Sequence, residues 1–596
     1  MIFSLDCETT GLNVWDGDRP FMVTICFEKL KTECFEWPVD PMTREVAPAK
    51  NDVKYIQAIL ANPENEVVMH NAKFDVRMLE SIGVKVHCKV HDTMFAVHVF
   101  MSNAKLGLKD LALEYLDIPI DDELDLKKAV REARRIAKVM GWNVGGDTQA
   151  DYWLPRAVAL KAKGPAQWKD LCARYGTLDA KRTMLLWKGF QEVLDKFDVR
   201  KIYDMEVELF PIMYAMTGRG VRFDMEECRR LLRIQEKKKK AIEAQFDFNL
   251  NSTKKLGVYL YETLKLPCPG YTVKTRAYKT DKRALEHNAD QPFVQKIIER
   301  SARNTLSKYL RSYVEAAVLE DDGWVIHANF NQIGPVTGRM SSSDPNLQNV
   351  AKRGDTVLRF GRRPFIPRDG YWWYAFDFDQ IEARIFASEA GEKRMLKAFA
   401  NGVDVYEVLA QDIRKHGVEI TRDFAKGIFL GKLYGEKARK MSQQLRCDYQ
   451  IAVRLIMAFD QISPRVSQFM HDTINEVKKK GFVTTRYGRR LCLDINSPYV
   501  ATNHRIQGAA ADLLKLALLR LNRYINLVPT DAHILMPIHD EIILEVGGAW
   551  KTNMNFIRGC RQVIENNEGL YTDVETTVSV SVIKKSWDKK EAVVVT

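Results

Sequence analysis

Apolar and polar positions recur along the chain with a changing period, and the changes mark out its elements. Ile2-Phe3-Ser4-Leu5 reads as a strand ending in Asp6-Cys7-Glu8, and strand alternation puts Asp6 and Glu8 on one face. Thr9-Thr10-Gly11-Leu12 then turns the chain away. Glu66-Val67-Val68-Met69 is a second strand, leading through His70-Asn71-Ala72-Lys73-Phe74 to Asp75 in a helix. Tyr175-Gly176-Thr177-Leu178-Asp179 has helical spacing, so Tyr175 and Asp179 share a face. Around Asp198–Arg200 the pattern passes into an amphipathic helix, Met205-Glu206-Val207-Glu208-Leu209-Phe210, and the domain boundary is placed there. The aromatic run Tyr371-Trp372-Trp373-Tyr374 suits a buried strand. Ile381, Ile385 and Phe386 line one face of the helix that follows. Ile534–Ile538 and Ile542–Leu544 are strand-like on either side of His539-Asp540-Glu541.

A chain of 596 residues is too long for one core, so about two to four domains are expected. Its formal net charge of +12 fits a polyanionic partner. No apolar run is long enough to span a membrane, and only a short apolar run precedes Asp6, so no secretory signal is visible. The ten cysteines are scattered without a Cys-x-x-Cys pair and read as reduced thiols in a cytoplasmic protein, not a disulfide frame or zinc site.

The acidic positions carry the chemistry. Asp6, Glu8, Asp75 and Asp179 offer four carboxylates that can hold two hard cations through oxygen. One cation can activate water while the other stabilises the leaving oxygen of a phosphodiester, with Tyr175 orienting the water. In order, spacing and context this set resembles the proofreading 3′→5′ exonuclease domain of the DnaQ-like class, which implies a mixed, RNase H-like sheet flanked by helices. The run Lys127, Arg131, Arg134, Arg135, Lys138 follows Asp121-Asp122-Glu123 on one helical side and reads as a solvated face. Lys237–Lys240 lies on a charged helical arm whose lysines can meet phosphates without reading sequence.

Further along, Thr337–Asn349 is a polar, turn-rich loop in which Arg339, Gln348 and Asn349 can donate to minor-groove acceptors present in every base pair. Arg422, Lys426, Leu430 and Tyr434 recur every four residues on one helical face: two cations, an apolar residue and an aromatic, a cradle for a nucleotide. With Asp377-Phe378-Asp379-Gln380-Ile381-Glu382-Ala383-Arg384, the Arg-x-x-x-Lys…Tyr-Gly helix and His539-Asp540-Glu541 quoted, nearly the whole chain resembles the family A DNA polymerases, the class of bacterial DNA polymerase I and its phage relatives.

The resemblance implies an α/β multidomain protein: an exonuclease domain over residues 1–200, then a right-hand polymerase domain over 201–596. Within the latter the thumb spans about 205–325, the palm about 326–390 and 466–596, and the fingers about 391–465. The expected reaction is attack of a primer 3′-hydroxyl on the α-phosphorus of a deoxynucleotide, with two Mg²⁺ per active site (Mn²⁺ as a substitute). Asp377 and Asp540 are expected to bridge both metals, with Glu541 auxiliary and His539 positioning the primer. Arg422 and Lys426 are expected at the phosphates, Lys426 also protonating pyrophosphate, with Leu430 on sugar or base and Tyr434 near the templating position. Glu382, paired with Tyr434, excludes a 2′-hydroxyl, and Asn503 and Gln507 contact template or primer. Two departures stand out: Leu430 where many relatives carry Phe or Tyr, and Tyr499 where an Arg is common. The partners implied are primer–template DNA, deoxynucleoside triphosphates and a replisome or processivity factor, with a monomeric chain. By resemblance, the compact length and the lack of a 5′-nuclease domain before Asp6 look more like a phage or organelle enzyme than a cellular one, and phage DNA replication, in the host cytoplasm, is the expectation. A single-subunit RNA polymerase, and a DNA-binding protein with inactive sites, are the competing readings.

Overall fold

The structure, a computed structural model, describes residues 1–351, 357–415, 417–445, 447–549, 552–567 and 569–595. Its N-terminal part is built on a five-stranded mixed sheet. β1 (Ile2–Thr9), β2 (Pro20–Phe27), β3 (Thr32–Glu36), β4 (Glu66–Met69) and β5 (Lys89–Asp92) stand in the order β3-β2-β1-β4-β5. β1 pairs antiparallel with β2 and parallel with β4. Phe3, Leu5, Val67, Val68 and Met69 are buried with no exposure, so the sheet is packed on both sides, as a strand feeding helices must be. The helix α1 (Ala72–Glu80) follows β4 and carries Asp75; α2 (Leu108–Leu116) and α3 (Asp121–Val139) come next. α4 (Leu171–Lys196) crosses β1 and β2. Gly176 allows this approach: a Cβ there would lie 2.6 Å from the Met22 side chain.

The helices break at residues 197–199, and α5 (Arg200–Arg219) begins. This is no gap in packing. Ile202, Tyr203 and Met205 join the same hydrophobic core as Leu194 on one side and Leu516 on the other. α6 (Met225–Glu243), with Lys237–Lys240 on its last turns, packs along α7 (Pro292–Ala316) as a helical arm.

The second large sheet is antiparallel. β6 (Tyr371–Phe378), β7 (Ala532–Ile538), β8 (Glu541–Gly547), β9 (Val578–Ile583) and β10 (Lys590–Ala592) stand in the order β7-β8-β6-β9-β10. Trp373, Tyr374 and Phe376 are buried at its centre, so the aromatic run is the sheet's middle strand. The helix α8 (Ile381–Ala390) follows β6; α9 (Arg422–Leu433) meets it through Phe429 and Phe386, ring centres 5.4 Å apart, and α10 (Ala501–Leu527) packs against it, with Thr421 capping α9 by accepting from the Phe424 amide. The segment read as a loop over Thr337–Asn349 is partly a strand: Ser341–Ser343 pairs antiparallel with Asn329–Asn331. Among the described residues, no helix is long and apolar enough to cross a membrane.

Candidate active sites

β1 brings Asp6 and Glu8 to one face, and α4 lays Asp179 over them. One carboxylate oxygen from each lies within 4.8 Å of the others, an all-oxygen donor set that fits a hard divalent cation. Asp75 joins from α1 through the backbone: the Cys7 amide donates to its carboxylate at 3.1 Å. Burial and mutual repulsion hold Asp6, Glu8 and Asp75 toward their neutral forms. Asp6 is pushed up to about 7 by burial and then by the charge of Asp179. Glu8 and Asp75 are raised by burial and then by Asp6. Tyr175 is buried beside them, its ring packed edge-on against Tyr152 at 5.3 Å, and its hydroxyl is raised strongly by burial and then Glu8.

Three charged residues that no motif announced complete this site. Lys109 forms an ion pair with Asp179, and its ammonium lies 4.2 Å above the Tyr175 ring. Arg182 reaches Asp179 at 2.9 Å and grips Asp122 with bonds of 2.6 and 2.8 Å. Arg182 was within reach of sequence reasoning, since it lies three residues from Asp179 on the same helix. Lys109 and Asp122 carried no such signal.

The second site lies where β6 ends and β8 begins. Asp377 stands opposite Glu541 in the ladder, and the Phe378 amide donates to the Asp540 carbonyl at 3.1 Å. Asp377 and Asp540 therefore flank one strand junction although 163 positions separate them in the chain. His539, in the turn before Asp540, adopts φ 57°, the left-handed conformation that makes the tight reversal from β7 into β8. Asp379 is occupied elsewhere: Ser579 donates to it at 2.6 Å and Thr577 at 3.2 Å. Glu541 is buried and ion-paired to Lys590. The buried Arg362 feels both Glu541 and Asp377, and burial is the larger influence on it, lowering its pKa. Lys590 and Arg362 were not legible from local sequence.

On α9 the four spaced residues take graded positions. Arg422 is held by Asp404 through bonds of 2.7 and 2.9 Å, and its guanidinium lies 5.4 Å from the Tyr406 ring centre. The Lys426 ammonium lies 5.6 Å from the same ring. Leu430 and Tyr434 follow, both half-buried. Gly435 closes the helix at φ +67°, and a Cβ there would meet the Tyr499 carbonyl at 2.6 Å. Tyr499 itself is exposed.

The expected pairing of Glu382 with Tyr434 takes a different form. The Glu382 carboxylate is ion-paired to Arg339, while the Tyr434 hydroxyl bonds Gln507. Burial and then the nearby Glu382 charge raise the Tyr434 pKa. The reason is charge: a guanidinium within reach satisfies a carboxylate better than a phenol does. Gln348 donates to the Pro537 carbonyl at 3.3 Å, and the Asn349 amide to the Asn346 side chain at 3.1 Å. Asn503 and Gln507 are half-buried on α10.

Residues 225–589 match the family model described as DNA polymerase family A, and residues 2–195 match that of a 3′-5′ exonuclease. The chain belongs to DNA polymerase family A. It is 27% identical over 572 residues to DNA polymerase I of Chloroflexus aurantiacus, covering 91% of this chain and 57% of that one. It is 33% identical over 366 residues to the thermostable DNA polymerase I of Thermus caldophilus, covering 58% and 43%. The chain thus spans about half the length of the curated relatives it matches. Among solved structures it resembles the POL domain of Pol1 from M. smegmatis in complex with DNA primer-template and dNTP. That likeness has a TM-score of 0.78 at 22% identity and covers 98% and 95% of the two chains. The architecture is that of an N-terminal exonuclease domain followed by a family A polymerase domain.

Proposed function

We propose that this chain extends a DNA primer with deoxynucleotides on a template strand and removes misincorporated 3′ ends in its N-terminal domain. The observation that carries the reading is the joining of Asp377 and Asp540 at one strand junction; the helix bearing Arg422 and Lys426 meets the helix that follows β6 through Phe429 and Phe386, ring centres 5.4 Å apart. Asp377 and Asp540 would hold Mg²⁺ in the polymerase site; Asp6, Glu8, Asp75 and Asp179 would hold it in the exonuclease site. When bound, each pair of ions supplies Lewis acidity for the attacking oxygen and charge neutralisation for the leaving oxygen.

The remaining steps belong to the chain's own groups. Arg422 and Lys426 take the triphosphate, and the Lys426 ammonium gives a proton to the departing pyrophosphate. Leu430 and Tyr434 pack against sugar and base, Glu382 crowds the 2′ position, and His539 positions the primer end. Arg339 leaves Glu382 to join Gln348, Asn349, Asn503 and Gln507 on the primer–template duplex. At the other site the Tyr175 hydroxyl orients the attacking water.

Primer extension with Mg²⁺ and each nucleotide type tests this. Wild type should extend with deoxynucleotides, and Asp377→Ala should not. Asp6→Ala with Glu8→Ala should still extend but no longer degrade single-stranded 3′ ends. Extension by Asp377→Ala at the wild-type rate would refute the assignment.

A further inference from the structure

The exonuclease cluster poses an electrostatic problem that its four acids do not solve by themselves. Three carboxylates share one small volume, and their repulsion raises the free energy of the metal-free fold. The structure answers with a square of alternating charge. Asp179 and Asp122 occupy one diagonal; Lys109 and Arg182 occupy the other.

The two cations of the square are not equivalent. The Arg182 side chain is 3% exposed and bonded at both ends, to Asp122 and Asp179 and also to the Pro119 carbonyl at 2.9 Å. It is fixed. Lys109 is 16% exposed, lies on the second position of α2, and ends in a compact ammonium on a flexible stem. It is ion-paired to Asp179, and Asp122 stands 3.7 Å from the same nitrogen. The Tyr175 ring holds it from below by cation–π attraction.

We propose that Lys109 is a tethered counter-cation of the exonuclease site, a positioning residue that neutralises Asp179 until a divalent ion arrives and then retires to Asp122. This rests on the metal-binding reading proposed above. Lys109 competes with the ion for Asp179, so it weakens metal binding while keeping the acids and Tyr175 in place. The short step to Asp122 lets the ammonium give up Asp179 without leaving the square or losing the ring beneath it. The device belongs to the site's free state and needs no contact with nucleic acid.

Mn²⁺ binding tests it, read by electron paramagnetic resonance on the full chain carrying Asp377→Ala and Asp540→Ala to silence the palm. In that background Lys109→Met should bind Mn²⁺ about tenfold more tightly, as expected when one competing charge is removed at this distance. Lys109→Arg, which keeps the competing charge, should bind Mn²⁺ no more than about twofold more tightly than the parent. Equal or weaker binding by Lys109→Met overturns the proposal. Adding Asp6→Ala and Glu8→Ala separates the two levels. Undiminished Mn²⁺ binding there overturns the metal reading and this inference with it. Binding lost there but unaltered by Lys109→Met overturns the inference alone. Should Lys109→Met fail to fold, reductive methylation of the wild-type chain, read by mass spectrometry, decides. Mg²⁺ should speed modification of Lys109 as its Asp179 partner is taken, and an unchanged rate overturns the proposal.

Discussion

Replacing Glu206 by Gln should destabilise the protein far more than an isosteric change on a surface would. Glu206 on α5 has no exposure, and it accepts from Arg489 at 2.7 Å, from Lys515 at 2.5 Å and from Gln332 at 2.9 Å. Asp512 accepts from Arg489 at 2.6 Å and from Thr485 at 2.7 Å. Two buried acids thus balance two buried bases, tying α5 to α10 and to the turn before Arg489. The amide keeps the shape but strands one positive charge, which costs about 3–5 kcal/mol when the pair is buried. Urea denaturation of wild type and Glu206→Gln at pH 7 reads this directly. Lys515→Met added to Glu206→Gln removes the stranded charge and should recover at least half of the loss. A loss below about 1 kcal/mol, or no recovery in the double variant, would refute the reasoning.

The same cluster has a pH signature. Burial, with repulsion from Arg489, outweighs the attraction of Glu206 and lowers Lys515 to about 8 from its ordinary 10.5. Between those values the unfolded chain holds a proton that the folded one has released, so stability rises with pH across that window. Lys515→Met should flatten that rise. Glu206 is lowered: burial opposes this and is outweighed by the attraction of Lys515 and Arg489. Its contribution is therefore present above the ordinary glutamate range and lost as pH falls through the folded value.

Lys426→Leu should slow single-turnover incorporation by about a hundredfold, the scale of a lost general acid, while leaving primer–template affinity within about twofold; equal losses in both would place Lys426 in binding alone. Glu382→Ala should let ribonucleotides compete with deoxynucleotides, and unchanged selectivity in a mixed-nucleotide extension assay would remove it from sugar discrimination. Leu430→Phe should alter dideoxynucleotide use in the same assay, because a ring would then face the sugar, and no difference would clear that position.

What the sequence made legible follows from the range of the forces involved. Asp6 and Glu8 are related by a two-residue period, and Tyr175 and Asp179 by one helical turn, so local spacing was enough to group each pair. The aromatic strand from Tyr371 and the two runs around His539 also announced themselves, because burial writes directly into residue type. Lys109, Asp122 and Arg182 meet through packing of three helices, and nothing in the neighbourhood of Lys109 marks it apart from other lysines. Lys590 reaches Glu541 across the sheet from its edge strand, a contact fixed by strand order and not by spacing. Ser341–Ser343 offered no apolar alternation to betray a strand; the ladder with Asn329–Asn331 makes it one. The basic face of α3 is partly spent on local partners, with Arg134 pairing to Asp151 at 3.1 Å and Lys127 to Glu123 at 2.6 Å. Charge counting treated those residues as equivalent, and tertiary structure does not.

Nucleotide addition as proposed needs Asp377 and Asp540 to hold divalent ions in common beside an incoming nucleotide. Anomalous scattering from Mn²⁺ in crystals of the chain with primer–template DNA and a non-hydrolysable deoxynucleotide tests it most directly. Mn²⁺ peaks are expected within coordination distance of both carboxylates and of the triphosphate. Peaks confined to Glu541 or Asp379, or Asp377 and Asp540 without an ion between them, would contradict it.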